Sequence, residues 1–183
     1  MKKPVVIICL ITMLALLAVM TFGVKVGGLR IGNQDDTANV VQHSKIAESP
    51  FATKYLESDK LVCVNLWATW CEPCLVEIPM LNEIKSEFAK ENVEFISLSV
   101  DKDLVQLAKF NKNKRFHFID ITVENLEYRT AIVNYLQNKP SDNSINSLSI
   151  PMTYLIKNKK VVKTFDESLE NKEKLVEAIN SIL

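Results

Sequence analysis

The sequence predicts an α/β domain, a central mixed β-sheet flanked by helices, with an N-terminal transmembrane or signal segment ahead of it. Two observations carry the domain and a third carries the segment. Residues 61–67 (Leu-Val-Cys-Val-Asn-Leu-Trp) form a short, almost wholly apolar run of strand-forming residues, the pattern of a strand buried on both faces. Downstream, strand-like runs alternate with helical periodicity and end in two strands and a closing helix, an order that covers both faces of one sheet with helices. Upstream, residues 4–22 run for 19 positions without a charge. In a chain of 183 residues, 48% of them hydrophobic, this leaves material for one domain with a real core plus an appendage, and not for two domains.

The uncharged run follows Lys2 and Lys3. At about 1.5 Å per helical residue it is long enough to cross the hydrocarbon core of a bilayer, so it is a signal peptide or a signal anchor. It is longer than the usual apolar stretch of a cleaved signal, and only Thr21-Phe22-Gly23 approximates a cleavage site, which favours an uncleaved anchor at 1–23. The lysines place the N-terminus in the cytoplasm and the rest outside the cytoplasmic (inner) membrane, in the periplasm or extracytoplasmic space, where disulfide chemistry is possible. Cys9 follows Ile8 rather than a small residue, so it reads as an apolar membrane residue and not as a lipidation site. All four glycines (Gly23, Gly27, Gly28, Gly32) come next, with Asn33, Gln34, Asp35 and Asp36 and no periodicity. Residues 24–48 therefore read as a linker and 49–183 as the domain.

Within the domain each element has its own signal. After the strand at 61–67, Cys74, Ile78, Leu81, Ile84 and Phe88 recur at steps of three and four with charged residues between them, which makes an amphipathic helix that Pro79 is expected to kink. Residues 93–100 read as a second strand, 103–111 as a helix and 115–119 as a third strand. Leu126, Ala131, Ile132, Tyr135 and Leu136 fit a helix over 126–138, and 139–149, rich in Ser and Asn, is a loop. Residues 152–156 and 161–165 flank Lys157-Asn158-Lys159-Lys160, and Asn tolerates the positive φ of a tight turn, so an antiparallel hairpin is expected. The final segment places Leu175, Ala178 or Ile179, and Ile182 on one stripe, with Ser168 or Asn171 as its N-cap.

Lys plus Arg and Asp plus Glu each total 22, so the chain lacks the basic balance that holds proteins on nucleic acid, and no nucleic-acid partner is expected. The four cysteines, at 9, 63, 71 and 74, are too few and too uneven for a disulfide scaffold. Cys71-Glu72-Pro73-Cys74 leaves a buried strand and opens a helix. There the unpaired N–H groups and the macrodipole favour a negative sulfur, which makes Cys71 the nucleophile. Cys74, one turn on and more buried, would resolve the mixed disulfide. Pro73 sits in the first turn, where its missing N–H costs little. Half of a zinc site and a static disulfide are the competing readings. The further zinc ligands on offer are Cys63, His43 and His117, none of them paired at ligand spacing, so no metal and no cofactor is expected.

Val64-Asn65-Leu66-Trp67-Ala68-Thr69-Trp70-Cys71-Glu72-Pro73-Cys74, followed by Glu77 and Pro79, resembles the thioredoxin-like TlpA/ResA family of membrane-anchored extracytoplasmic thiol-disulfide oxidoreductases. The close match is confined to this stretch and extends loosely over the α/β pattern from residue 49. The resemblance implies a thioredoxin fold and reduction of disulfides in extracytoplasmic protein substrates, commonly apocytochrome c before haem attachment. It also implies a membrane electron donor of the thiol-disulfide transporter type. A thiol oxidase or isomerase, and a redox-silent binding module, are the alternatives. Ile150-Pro151 matches the family's cis proline facing the cysteine pair, where the backbone at Ile150 would pair with an extended substrate segment.

Glu77 lies almost one helical turn beyond Cys74, at a position where the resembling family carries a functional Glu, and would exchange a proton with that thiol. The Asp that thioredoxin places six residues before the first Cys is here Asn65, which shifts the proton role toward Glu77; a solvated helix glutamate is the alternative. Glu72 is expected to face solvent and to oppose the Cys71 thiolate slightly. Trp67 and Trp70 read as packing around the motif, with Trp70 also shaping the substrate surface beside Glu72 and Pro73. Cys63 reads as a small buried apolar residue, His117 as a strand residue, and Asp101 as a turn or helix cap rather than a catalytic acid. The stretch near 124–149 is longer than a minimal member needs, an inserted helix and loop that selects the partner if it lies beside the motif and is scaffold if it does not.

Overall fold

The structure is a computed structural model that describes residues 24–26, 29–31, 44–139, 148–166, 169 and 172–183. These fall into two compact units divided between Val41 and Gln42. The expected anchor at 4–22, with Cys9, lies outside the described residues, as do His43, the loop at 140–147 and the proposed caps Ser168 and Asn171. Among the described residues no helix is long and apolar enough to cross a membrane. The first unit contributes β1 (Val24–Val26) and β2 (Leu29–Ile31), an antiparallel pair where the sequence reads as linker. Each strand is apolar, basic, apolar, a period-two pattern too short to stand out between glycines.

The second unit opens with α1 (Ser44–Ala47) and a π-helical turn (Ala52–Leu56). Ile46, Phe51, Tyr55 and Leu56 are buried in the core, so the domain starts ahead of residue 49 and takes residues 44–48 from the expected linker. Then come β3 (Leu61–Trp67), α2 (Glu72–Glu87), β4 (Val93–Ser99), α3 (Leu104–Lys112), β5 (Ile119–Asp120), a 3₁₀ turn (Leu126–Tyr128), α4 (Arg129–Leu136), β6 (Met152–Lys157), β7 (Lys160–Phe165) and α5 (Glu173–Ile182). The five-stranded sheet runs β5-β4-β3-β6-β7. The β3–β4 and β4–β5 pairs are parallel and the β3–β6 and β6–β7 pairs antiparallel, which is the mixed sheet expected. β3 is central, and its whole apolar run is buried.

Alternation along β3 divides the core. Val62, Val64 and Leu66 pack with Ile96, Leu98, Tyr154 and the apolar residues of α1, the π turn and α4 on one face. Leu61 and Cys63 pack with Leu81 and Ile84 of α2, Phe88 at its C-cap, and Leu175 and Ile179 of α5 on the other. Trp67 and Ala68, at the end of the strand, form a third cluster with Cys71, Cys74, Ile78 and Leu107. Residues 131–136 of α4 are all buried, so the helix of the expected insertion is part of the core. Buried Asn125 joins it to the start of the domain, accepting the Phe51 N–H at 2.9 Å and donating to the Ile121 carbonyl at 2.9 Å.

Three local features depart from or refine the expectation. The strand at 115–119 shrinks to Ile119–Asp120. Its backbone groups are claimed by α2: Asn82 donates to the Arg115 carbonyl and accepts the His117 N–H, both at 2.8 Å, and Lys85 donates to the His117 carbonyl. Groups committed to side chains cannot also join a ladder, so His117 is not a strand residue. The β6–β7 hairpin forms, with Asn158 (φ 51°) and Lys159 (φ 61°) both left-handed. Asn tolerates that conformation, whereas Lys159 adopts it where glycine is usual. Pro79 lies inside α2, where it offers no N–H to the preceding turn. The Ile150-Pro151 bond is cis.

Candidate active site

β3 delivers the chain to the site. The Cys71 N–H donates to the Ala68 carbonyl at 3.2 Å, closing a turn that hands the chain from strand to helix. Cys71 is the N-cap of α2, in extended conformation (φ −89°, ψ 99°), and its sulfur accepts the Cys74 N–H at 3.3 Å. The two cysteines are disulfide-bonded with Cα atoms 5.3 Å apart. Each is buried, Cys71 at 5% and Cys74 at 2% exposure. An N–H at the start of α2 therefore already points at the Cys71 sulfur, and with the helix dipole it stabilises a thiolate when the disulfide opens.

The expected site residues take distinct places around the pair. Glu72 and Pro73 form the exposed first turn. Trp70 is 64% exposed, so it is a surface residue and not part of the packing. Trp67 does the packing: it is 1% exposed, its ring centroid 4.9 Å from that of Phe110 and 5.5 Å from that of Phe116. Ile150 packs against the cluster that holds both cysteines, and Pro151 is buried beside it in sequence.

Glu77 is buried, at 4% exposure, and is not a solvated helix glutamate. Cys63 on β3 lies within its electrostatic reach: burial pushes the Cys63 thiol up, and the Glu77 charge adds to the shift. Cys63 thus stays protonated and behaves as the small apolar residue expected. Asn65, on the same strand, donates to Thr153 Oγ1 of β6 at 3.0 Å. A neutral amide bonded across the sheet stands where thioredoxin has an acid, which leaves Glu77 as the buried carboxylate on the motif helix. If Glu77 handles the Cys74 proton, Glu77→Gln removes a negative charge that opposes thiolate formation. Cys74 should then become reactive at lower pH, as read by alkylation of the reduced protein across pH. Superimposable titration curves would make Glu77 a structural residue.

Asp101 caps a turn, as its sequence position suggests, but the turn it caps is the cysteine loop after the neighbouring strand. Asp101, just past β4, is 1% exposed. Its carboxylate accepts the Thr69 N–H at 2.9 Å, the Thr69 hydroxyl at 2.7 Å and the Ser99 hydroxyl at 2.6 Å. Its backbone carbonyl accepts from Arg129 of α4 at 2.7 Å. Burying a carboxylate costs several kcal/mol, and three charge-assisted bonds of roughly 1.5–3 kcal/mol each offset that cost. Thr69 is two residues before Cys71, so Asp101 fixes the entry to α2 from the neighbouring strand. The available signal was the Ser-Val-Asp run at the end of β4, beside which Thr69 needed an acceptor. The helix that Asp103 caps, through the N–H groups of Val105 and Gln106, begins just after it.

The redoxin family model matches residues 36–179, most of the chain. The chain belongs to the redoxin family. Among curated relatives, a thiol-disulfide oxidoreductase ResA from Bacillus cereus is 36% identical over 59 residues, 32% of this chain and 34% of its own length. A thioredoxin from Rickettsia prowazekii is 35% identical over 60 residues, 33% of this chain and 56% of its own. The chain thus aligns with between a third and just over half of these relatives. In fold it is similar to StoA from Bacillus subtilis, with a TM-score of 0.52 at 16% identity over 66% of this chain and 82% of the other. It is likewise similar to a thiol:disulfide interchange protein of the thioredoxin family from Chlorobium tepidum, with a TM-score of 0.51 at 18% identity over 67% and 79%. These structural similarities show that the fold is thioredoxin-like.

Proposed function

We propose that this protein is a membrane-tethered, extracytoplasmic thiol-disulfide oxidoreductase that reduces disulfides in partner proteins. The observation that carries the reading is the Cys71–Cys74 pair itself, with Cys71 at the N-cap of α2 and Cys74 buried behind it. In the reduced enzyme the Cys71 thiolate attacks one sulfur of the substrate disulfide and the other sulfur leaves as a thiolate. Cys74, giving up its proton, then attacks Cys71, releasing the second substrate thiolate and closing the enzyme disulfide. Two electrons pass to the substrate, and the departing thiolates take up two protons. A dithiol donor of the membrane thiol-disulfide transporter type restores the pair by the same exchange in reverse.

Glu77 receives and returns the Cys74 proton in this scheme. Exposed Trp70, with Glu72 and Pro73, forms the rim that meets the substrate, and the backbone at Ile150 pairs with its extended segment. The uncharged run at 4–22 anchors the chain in the cytoplasmic membrane and leaves the domain outside. The likeness to ResA makes the disulfide of apocytochrome c the first substrate to assay. Equilibration in thiol redox buffers tests the direction of flow: the expected potential lies in the thioredoxin range, about −270 mV, and a value of about −120 mV, that of a strong oxidant, would overturn the reductase assignment.

A further inference from the structure

A groove of about 420 Å³ runs alongside the motif helix. Its apolar lining is Leu75, Ile78 and Pro79 of α2 with Phe110 of α3, and its polar lining includes Lys114 and Arg115. Leu75 directly follows Cys74 and Ile78 comes one turn later, so the groove opens within about one helical turn, roughly 5 Å of rise, of the resolving cysteine.

The charge of this region is one-sided. Between Leu104 and Ile119 the chain carries Lys109, Lys112, Lys114 and Arg115 and no acid, although the whole chain balances 22 cations against 22 anions. All four are exposed, and among the described residues none of them forms an ion pair. The basic side of the groove is also held in place. Asn82 clamps the backbone at Arg115 and His117, and Lys114 sits at φ 49°, a left-handed conformation that a non-glycine residue adopts only at a cost. An apolar floor beside exposed cations that form no ion pair among the described residues, carried on an anchored backbone, matches a ligand with both an apolar side chain and carboxylates. A basic segment would be repelled, and a neutral one would leave the cations without counter-charge.

We infer that this groove docks an acidic segment bearing an apolar side chain, located beside the disulfide of the partner protein. The inference names the substrate class for the exchange function proposed above and rests on it. Two assays on the full-length chain separate the ideas. In the first, a fluorescent cysteine-free peptide with Leu between Asp residues is titrated by anisotropy against wild type and against Lys114→Glu/Arg115→Glu, with Lys114→Gln/Arg115→Gln as the milder variant. Charge reversal is expected to weaken binding about tenfold and neutralisation by less, and an Asn-for-Asp peptide should bind wild type about as weakly as the acidic peptide binds the neutralised variant. Equal affinities for acidic and neutral peptides, or equal affinities of wild type and reversed variant, would overturn the inference. So would a charge-reversal effect confined to anionic phospholipid vesicles or to self-association of the chain.

The second assay compares kcat/KM of reduced wild type on disulfide forms of the two peptides. A preference for the acidic one supports the groove, and equal turnover of both counts against it. Failure to turn over either, with acidic-peptide binding intact, would remove the exchange function and leave the docking groove standing.

Discussion

Cys71→Ser is expected to abolish disulfide exchange, lowering the rate on a peptide disulfide by on the order of 10⁴-fold or more. A serine hydroxyl at the N-cap of α2 retains the geometry and the donor from Cys74, but it does not ionise near neutral pH and has no sulfur to exchange. Cys74→Ser should behave differently. Cys71 still attacks, yet the mixed disulfide has no resolving thiol, so discrete adducts should accumulate on non-reducing gels and vanish on adding dithiothreitol. Retained exchange in Cys71→Ser, or adducts absent from Cys74→Ser and present in wild type, would assign the nucleophile wrongly. A chain that formed no adduct at either position would be the redox-silent binding module.

The second large effect is expected at Asp101. Asp101→Ala strands the Thr69 N–H and hydroxyl and the Ser99 hydroxyl in a buried site, at about 1–3 kcal/mol for each donor that water does not reach. We expect a total loss of about 3–5 kcal/mol, seen as a lower urea midpoint at unchanged m. Thr69→Val removes the side-chain bond and keeps the backbone bond, so it should cost only about 1 kcal/mol. Because Thr69 leads into Cys71, both variants should also slow alkylation of the reduced Cys71 below the unfolding range. An Asp101→Ala protein as stable as wild type would show that solvent replaces the carboxylate. One that is destabilised yet alkylated at the wild-type rate would limit Asp101 to stability.

Legibility followed the range of the interactions. Leu61–Trp67 and the α2 stripe of Cys74, Ile78, Leu81, Ile84 and Phe88 were readable because burial imposes a period on consecutive residues. The β6–β7 hairpin was readable because Asn158 announces a left-handed turn residue locally. The shortened strand at 115–119 was not, since Phe116 and Phe118 fit a strand pattern and the competing partner, Asn82, lies on another element. Tertiary hydrogen bonding overrode local propensity there. Of the two roles the sequence suggests for Trp70, packing fails for a related reason: a large aromatic ring favours burial on average, while its place on the turn before Cys71 leaves it 64% exposed. Ile46 reads as linker in the sequence because a single apolar residue carries no period, and only its contact with the core reveals its place.

For the site, the sequence by itself determined the redox pair. A strand, a Cys-x-x-Cys and a helix in succession place one sulfur at a helix N-terminus wherever the rest of the chain goes, and the structure has Cys71 there as the N-cap. Only the tertiary structure decided what surrounds that pair. It buried Glu77 within reach of Cys63, bonded Asn65 to Thr153 across the sheet, brought Ile150 against the cysteine cluster and tied Thr69 to Asp101. These partners are 14, 88, 79 and 32 residues apart along the chain. No local period or motif encodes such pairings, because the desolvation and hydrogen-bond energies that select them exist only once the sheet has brought the residues together.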